Sequence, residues 1–311
     1  MTADRKPYQK PAHGAVICAA LALLLTLACR DVHAQAGRLF LGVPVDSNLA
    51  IATYNGTRSN TWVDEAIPQA GTAARSQTSS FVYSRIMDVF GHTGGPGIML
   101  PFTDLLAVDR PSGQVVQDVS GMGDPALTFD VNFFGAPALT AEQFKSFVPV
   151  TYSGLHLTLG TPWGRYEPNA RTNIGSNRWS LKTLINYSIT NDAGKTWIDF
   201  YPSVRIFGDN EAYLGARRLS QRPIFGLEAH YSATIATRTW WSAGLIGSTG
   251  SAIEIDGVDA GSAQRTLKVA LGAGFPAWPG GTVIVAWNRT VLRSEGAAQA
   301  NNFMLQGIHK F

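Results

Sequence analysis

From residue 48 onward the chain is written largely in period two, and the links between its runs alternate in length. Leu127, Phe129, Val131 and Phe133 alternate with Thr128, Asp130 and Asn132; Leu155, Leu157 and Leu159 alternate with His156 and Thr158. Trp179, Leu181, Thr183, Ile185 and Tyr187 alternate with Ser180, Lys182, Asn186 and Ser188, Leu184 being the exception. Ile198, Phe200, Val204 and Ile206 oppose Asp199, Tyr201, Ser203 and Arg205. Phe225, Leu227, Ala229 and Tyr231 oppose Gly226, Glu228, His230 and Ser232; Leu267, Val269, Leu271 and Phe275 oppose Thr266, Lys268, Ala270 and Gly272. Less regular runs lie near 48–55, 78–89, 96–107, 239–248 and 282–292. Successive strand residues point to opposite faces, so these runs are strands with one apolar and one polar face.

The long links are 56–77, 108–123, 162–176, 208–221, 249–263 and 293–299. Between them fall tight turns at His92–Gly95, Asn191–Gly194, Thr237-Arg238 and Pro276–Gly281; the exception is the 135–147 link, in which Ala138–Phe144 reads as a short helix. A sandwich gives no reason for this alternation. An up-and-down barrel with loops at one end and turns at the other requires it. The expected fold is therefore an all-β, transmembrane, antiparallel up-and-down β-barrel of about twelve strands, with both ends of the barrel domain on the short-turn side.

Composition is compatible with this and does not decide it. Charged residues make up 15% of the chain and mean hydropathy is +0.01, which suits a membrane barrel and a secreted sandwich alike. Beyond the first 34 residues no apolar stretch reaches the length of a spanning helix. Aromatics gather near strand ends, at Trp179, Tyr187, Trp197, Phe207, Trp240, Trp241, Phe275 and Trp278, where barrels carry interfacial girdles.

The first residues read as an export leader. Arg5, Lys6 and Lys10 precede an apolar run from Ala15 to Ala28, and Val32-His33-Ala34 offers a small-residue cleavage site. The expected organisation is a signal peptide over 1–34 and one barrel domain over 35–311; a competing lipoprotein-type cleavage would fall before Cys29. Both cysteines, Cys18 and Cys29, leave with the leader, so the exported chain needs no disulfide. Arg5, Lys6, Lys10 and Arg30 leave with Asp4 and Asp31, which turns 25 basic and 22 acidic residues into 21 and 20. That balance gives no electrostatic basis for nucleic-acid binding. At the other end Phe303, Leu305 and Phe311 share one strand face and Gln306 and Lys310 the other. A closing strand that ends on Phe311 resembles the segment by which outer-membrane barrels engage the assembly machinery, so the expected partners are that machinery, outer-membrane lipid and a small-molecule solute.

Asp130, Lys182, Asp199, Arg205, Glu228, His230 and Lys268 fall on the polar phase and are expected to line the lumen, since charge on the lipid face is costly. Catalytic constellations are weak. The chain has no helical His pair, nucleophile elbow or phosphate loop, and no metal or cofactor is expected. His230 and Ser232 share a strand face, a pairing that some outer-membrane lipases use, yet no orienting partner is evident. Glu167, Asp209 and Glu211 read as solvated loop charge.

Several blocks resemble one family in order and spacing. They are Gly121–Ala126, Asn132–Leu139, Thr161–Pro168, Asn173–Trp179, Phe207–Asn210 and Gln221–Ile224, followed by Leu227–His230. They are similar to the family named for a meta-pathway of phenol degradation, and cover most of the exported chain, most clearly 78–311. Trp163 and the 248–250 segment depart from the family pattern. The resemblance implies a Gram-negative outer-membrane barrel, transporter-like and linked by name to aromatic compounds; it supplies no catalytic residues. Arg165, Arg171, Asn177, Arg178, Asp209 and Asn210 then fall in external loops, where they tie the loops together or line the channel mouth. The expected function is a non-enzymatic channel for small hydrophobic or aromatic solutes, passing by diffusion. The rivals are a lipase- or esterase-like barrel enzyme and a structural or surface-interaction barrel.

Overall fold

The computed structural model describes residues 36–311 apart from 41, 61, 64–67, 70–71, 171 and 262. The expected leader, with Cys29, lies outside the described residues. Twelve antiparallel strands build one closed barrel: β1 Asn48–Ser59, β2 Thr72–Arg85, β3 His92–Asp109, β4 Ala126–Phe134, β5 Tyr152–Gly160 and β6 Ser180–Ile189. They continue as β7 Thr196–Phe207, β8 Ile224–Ala236, β9 Thr239–Gly250, β10 Gln264–Trp278, β11 Gly281–Arg293 and β12 Ala300–Lys310. Each strand pairs with its neighbour in sequence. The ring shuts where β1 meets β12, from Leu49 opposite Lys310 to Ser59 opposite Ala300. No described helix is long and apolar enough to cross a membrane; the spanning elements are strands.

The side-chain phase separates this fold from a sandwich. Phe81, Leu100, Phe102, Leu127, Phe129, Phe225, Leu245, Leu271, Phe303 and Leu305 are exposed. Asn186, Ser188, Asp199, His230, Ser232, Asn288, Thr290 and Asn302 are almost completely buried. Soluble proteins bury the first kind and expose the second. Here the apolar face is turned to lipid and the polar face into the lumen, as membrane barrels require.

Phase also corrects the expected girdle. Trp179, Tyr187, Trp241, Phe275 and Trp278 are exposed, but Trp197 and Trp240 are buried inside. Trp197 shares its phase with Asp199, and Trp240 shares its phase with Ser242; nearness to a strand end does not decide which way a ring points. Phe207 likewise lines the lumen, beneath Arg178.

The links differ from expectation in detail. His92–Gly95 belongs to β3, and the turn before it is Phe90-Gly91, both at positive φ, with Gly91 donating to Asp88 Oδ1 at 2.6 Å. Gly95 serves close strand approach, since a Cβ there would lie 1.8 Å from the Arg85 carbonyl oxygen. β10 runs on to Trp278, which confines the next turn to Pro279-Gly280. Hydrogen bonds from the side chain and backbone of Thr196 hold Asp192 down to about 2 and tie the 190–195 turn. In the 135–151 link the helix α1 is a single turn, Ala141–Phe144, opened by a capping box between Thr140 and Gln143.

On the external side the links read as loops contain strands. Val115–Met122 extends along β3. Asn210–Tyr213, Arg217–Gln221, Ile253–Ile255 and Val258–Gly261 form a separate four-stranded sheet. Leu219 opposite Ile255 joins the two hairpins, and Tyr213 and Leu219 are buried between them. An isolated hairpin is marginal in water, so the pairing between hairpins makes the sheet. Arg218 beside Asp209 and Arg217 beside Asp256 hold both carboxyls below the usual carboxylate range.

The seam closes at its periplasmic end through Phe311. Asn48 N–H donates to the Phe311 carbonyl at 2.8 Å, and Phe311 N–H donates to the Asn48 carbonyl at 3.1 Å. The Phe311 ring stacks on His309, whose Nδ1 accepts from Trp278 Nε1 at 3.1 Å. Deleting Phe311 removes both backbone bonds, each worth roughly 1 kcal/mol net. The expected result is a lower folded yield, seen as less of the compact band on unboiled electrophoresis; an unchanged yield would refute this role.

Candidate functional site

The barrel is not an open tube. Residues 36–40 and 42–47, ahead of β1, line a path from the periplasmic rim into the lumen. Arg38 anchors this strap on β7, β8 and the turn between β6 and β7. Its N–H donates to Asp199 Oδ2 at 3.1 Å, Nε to Ser232 Oγ at 2.8 Å, Nη1 to Thr234 Oγ1 at 2.9 Å and Nη2 to the Lys195 carbonyl at 2.8 Å. A planar fork of fixed donors suits this spread of acceptors, which a lysine could not match. The guanidinium also lies 5.7 Å from the Trp240 ring.

Neighbouring strap residues complete the fit. Ala36 packs with Trp240, Ile284, Ala286 and Met304. Gly37 donates to Ser242 Oγ at 3.3 Å, and a Cβ on it would stand 3.2 Å from Asp199 Oδ2. The Phe40 ring sits 3.8 Å from His156 and meets Tyr201 edge-on at 5.2 Å. At the rim Asp46 pairs with Arg85 at 2.9 Å, and Val45 N–H reaches the Leu139 carbonyl at 2.9 Å.

All seven residues of the expected lumen set occupy the inward phase, and they fall into connected groups. Asp130 Oδ1 lies 2.7 Å from His156 Nδ1, whose Nε2 lies 2.9 Å from Asn186 Oδ1. Glu228 Oε2 lies 3.2 Å from His230 Nε2, with both side chains buried. Asp199 carries the strap, as above. Lys182 stands directly opposite Arg205. Glu228, Ile246 and Lys268 share one level across β8, β9 and β10. Arg38, His156, Asn186 and Tyr201 complete this lining and were not singled out from sequence. The last three sit on the polar phase of their runs, which is the signal that could have found them; Arg38 precedes every periodic run.

The Glu228 contact alters the reading of His230 and Ser232. An orienting carboxylate is present, but the Ser232 hydroxyl accepts the Arg38 Nε–H. Among the described residues no cluster of three or more His, Cys, Asp or Glu is placed to hold a metal.

Above the strap the external half of the lumen is a vestibule of about 330 Å³. Met99, Leu105, Ile174, Phe207 and Leu219 give it apolar walls, and its charged members are Asp124, Arg178, Arg205 and Lys268. The 161–179 link folds over it because Asp124 holds both sides of that link. Its Oδ1 accepts from Gly164 N–H at 2.9 Å, and its Oδ2 accepts from Ser176 N–H at 2.8 Å and Ser176 Oγ at 2.5 Å. Gly164 and Gly175 touch there, and a Cβ on Gly175 would lie 2.7 Å from the Gly164 carbonyl carbon.

The six expected mouth residues divide by task. Arg165 donates to the Ser120 carbonyl at 2.5 Å and pairs with Glu167 at 2.8 Å, while Asp209 pairs with Arg218 in the external sheet. Asn177, at φ 53°, donates to Asn210 Oδ1 at 3.0 Å, and Asn210 Nδ2 donates to the Tyr166 hydroxyl at 2.8 Å. Arg178 donates to Gln221 Oε1 and lies 4.6 Å above the Phe207 ring. Arg178 and Asn210 also line the vestibule, whereas Arg165, Asn177 and Asp209 do not. Arg171 lies outside the described residues.

Known proteins bear on this architecture. A family model described as "Putative MetA-pathway of phenol degradation" matches residues 50–305. No curated protein sequence matches the chain. Among solved structures, an outer membrane channel from Pseudomonas putida F1 superposes with a TM-score of 0.75 at 18% identity, over 90% of this chain and 100% of that one. The beta domain of the Bordetella autotransporter BrkA follows with a TM-score of 0.56 at 11% identity, over 86% of this chain and 100% of that one. With most of its length matched by the family model and its strands closed into this barrel, the chain belongs to the MetA-pathway phenol-degradation family and is an outer-membrane protein.

Proposed function

We propose that the protein is a non-enzymatic channel that admits small hydrophobic or aromatic solutes through its external vestibule and holds its lower lumen shut with the strap. The observation that carries this reading is the contrast between the two halves of the lumen. The external half offers about 330 Å³ between apolar walls and a few charged heads. The periplasmic half is filled by Ala36, Arg38 and Phe40. Ligand sites are commonly apolar concavities with a small number of placed polar groups. The likeness to a solved outer membrane channel supports the transport class.

An esterase-like reading has one observation in its favour, the Glu228–His230 contact with Ser232 on the same face. Its serine is engaged by Arg38, and the strap covers the space that an ester would need. Ser232→Ala is expected to abolish no hydrolysis of a chromogenic ester, whatever it does to the strap that Ser232 helps to anchor.

The strap gives a direct test. Arg38→Ala removes three side-chain hydrogen bonds made by a charged group, roughly 1.5–3 kcal/mol apiece and not additive. Several kcal/mol is the scale needed to invert a two-state population. Conductance in planar bilayers is expected to rise severalfold, with more frequent long openings. Unchanged conductance in a correctly folded variant would remove the strap from the conduction path.

Charge in the vestibule gives a second test. Arg178, Arg205 and Lys268 outnumber Asp124, so small anions are expected to be favoured over cations. Arg205→Gln and Lys268→Gln are each expected to move the reversal potential in a salt gradient toward cation preference. No movement in either would place ion flow outside the vestibule.

A further inference from the structure

The lipid-facing wall carries a basic cluster that plays no part in the lumen. Arg75 on β2 stands directly opposite Arg58 on β1; Arg58 stands opposite Asn301 on β12, and Asn301 opposite Arg289 on β11. Thr57, Asn288 and Thr290 are buried in the lumen, which turns Arg58 and Arg289 outward, and all three arginines are exposed. Like charges directly opposite each other destabilise a sheet. Among the described residues none accepts a hydrogen bond from, or forms an ion pair with, these guanidinium groups. The nearest outward acids by register are Asp104, opposite Gln77, and Asp118, opposite Leu106, both on the far side of β2 from Arg58. The 60–71 link carries Asp64 and Glu65.

The height of the cluster excludes a resting place in hydrocarbon. Arg58 is the next-to-last residue of β1 at its external end. Tyr54, Trp287 and Phe303 face outward just below it and belong to the external aromatic girdle. An arginine at the bilayer midplane costs about 2–4 kcal/mol, but near the interface the cost falls to about 0–1. The cluster therefore sits where the phosphates of the external leaflet lie.

A groove is built beside it. About 260 Å³ opens on the outer wall between Tyr54, Trp287 and Phe303, with Arg58 and Arg75 at its external end and Gly56 as its floor. The ring walls are fixed from their external side. The Tyr54 hydroxyl donates to Gln77 Oε1 at 2.8 Å, and Trp287 Nε1 donates to Asn301 Oδ1 at 2.6 Å. Two forks of donors above an aromatic slot match a phosphate joined to an acyl-bearing body, because guanidinium groups bind phosphate bidentately.

We propose that Arg58, Arg75 and the Gly56 groove form a binding site for a phosphorylated lipid of the external leaflet, with Arg289 adding long-range attraction. Basic residues at a membrane surface contribute about 1 kcal/mol each toward anionic lipid, so losing both groove arginines should weaken binding by about tenfold or more.

The test is native mass spectrometry of the detergent-solubilised protein titrated with diphosphoryl lipid A, monophosphoryl lipid A, phosphatidylcholine and inorganic phosphate. Expected are retention in the order diphosphoryl, monophosphoryl, phosphatidylcholine, and loss of that order in the Arg58→Gln/Arg75→Gln variant. Equal retention of all three lipids by the unmodified protein would overturn the proposal, as would equal retention by the double variant. Displacement of lipid by millimolar inorganic phosphate alone would also overturn it, pointing to a free-anion site. Arg75→Gln alone, checked for its compact band on unboiled electrophoresis, supplies the same comparison if the double variant fails to fold, and the headgroup series on the unmodified protein needs no variant.

Discussion

Hydrocarbon offers no hydrogen-bond partner, and the rest of this molecule follows from that. Every backbone N–H and C=O on the spanning strands must be answered by another strand, so the sheet must close. Here the closing contact is β1 on β12, stitched along its length and finished at the periplasmic rim by the reciprocal bonds of Asn48 and Phe311. Closure then forces the alternation of side chains into a sharp division between a lipid face and a lumen face. The lumen face inherits the polar residues. A ring of twelve strands is too wide for its own side chains to fill, and too narrow to resemble a water-filled porin.

Polar groups inside such a ring need partners of their own, and the strap is one answer. Asp199, Ser232 and Thr234 lie on strands remote in sequence from residue 38, yet one arginine bonds to all three. Histidines are answered within the wall, His156 by Asp130 and Asn186 and His230 by Glu228. At the external end Asp124 does for a loop what Arg38 does for the strap, gathering Gly164 and Ser176 into a fixed roof. Structure and vestibule thus share the same residues.

Much of this was legible in the sequence, for a physical reason. Period two fixes phase, and phase alone assigned Asp130, Lys182, Asp199, Arg205, Glu228, His230 and Lys268 to one face. Alternating link lengths supplied the topology. Three things were not legible. Trp197 and Trp240 were grouped by nearness to strand ends, although their phase turns them inward. The external sheet depends on Leu219 meeting Ile255, a contact between two links that no local pattern carries. Arg38 lies ahead of the first strand, outside any periodicity, and its acceptors are scattered from residue 195 to residue 234. The Gly121–Ala126 block was visible as part of the family pattern, but the reach of Asp124 across to Ser176 was not.

In the proposed opening, the makeup of the strap's seat sets the thermodynamic character of the strap's movement. Apart from the small apolar cluster around Ala36 and Trp240 and the Phe40 ring against Tyr201 and His156, the surfaces that would part are hydroxyls, a carboxylate and a backbone carbonyl. Water can replace each lost contact in kind. Release then exposes little hydrocarbon, so its heat-capacity change is small and the balance between closed and open states shifts only slowly with temperature. A strap seated on leucines would have made the same barrel a thermal switch; seated on polar groups, it answers to hydration and charge instead.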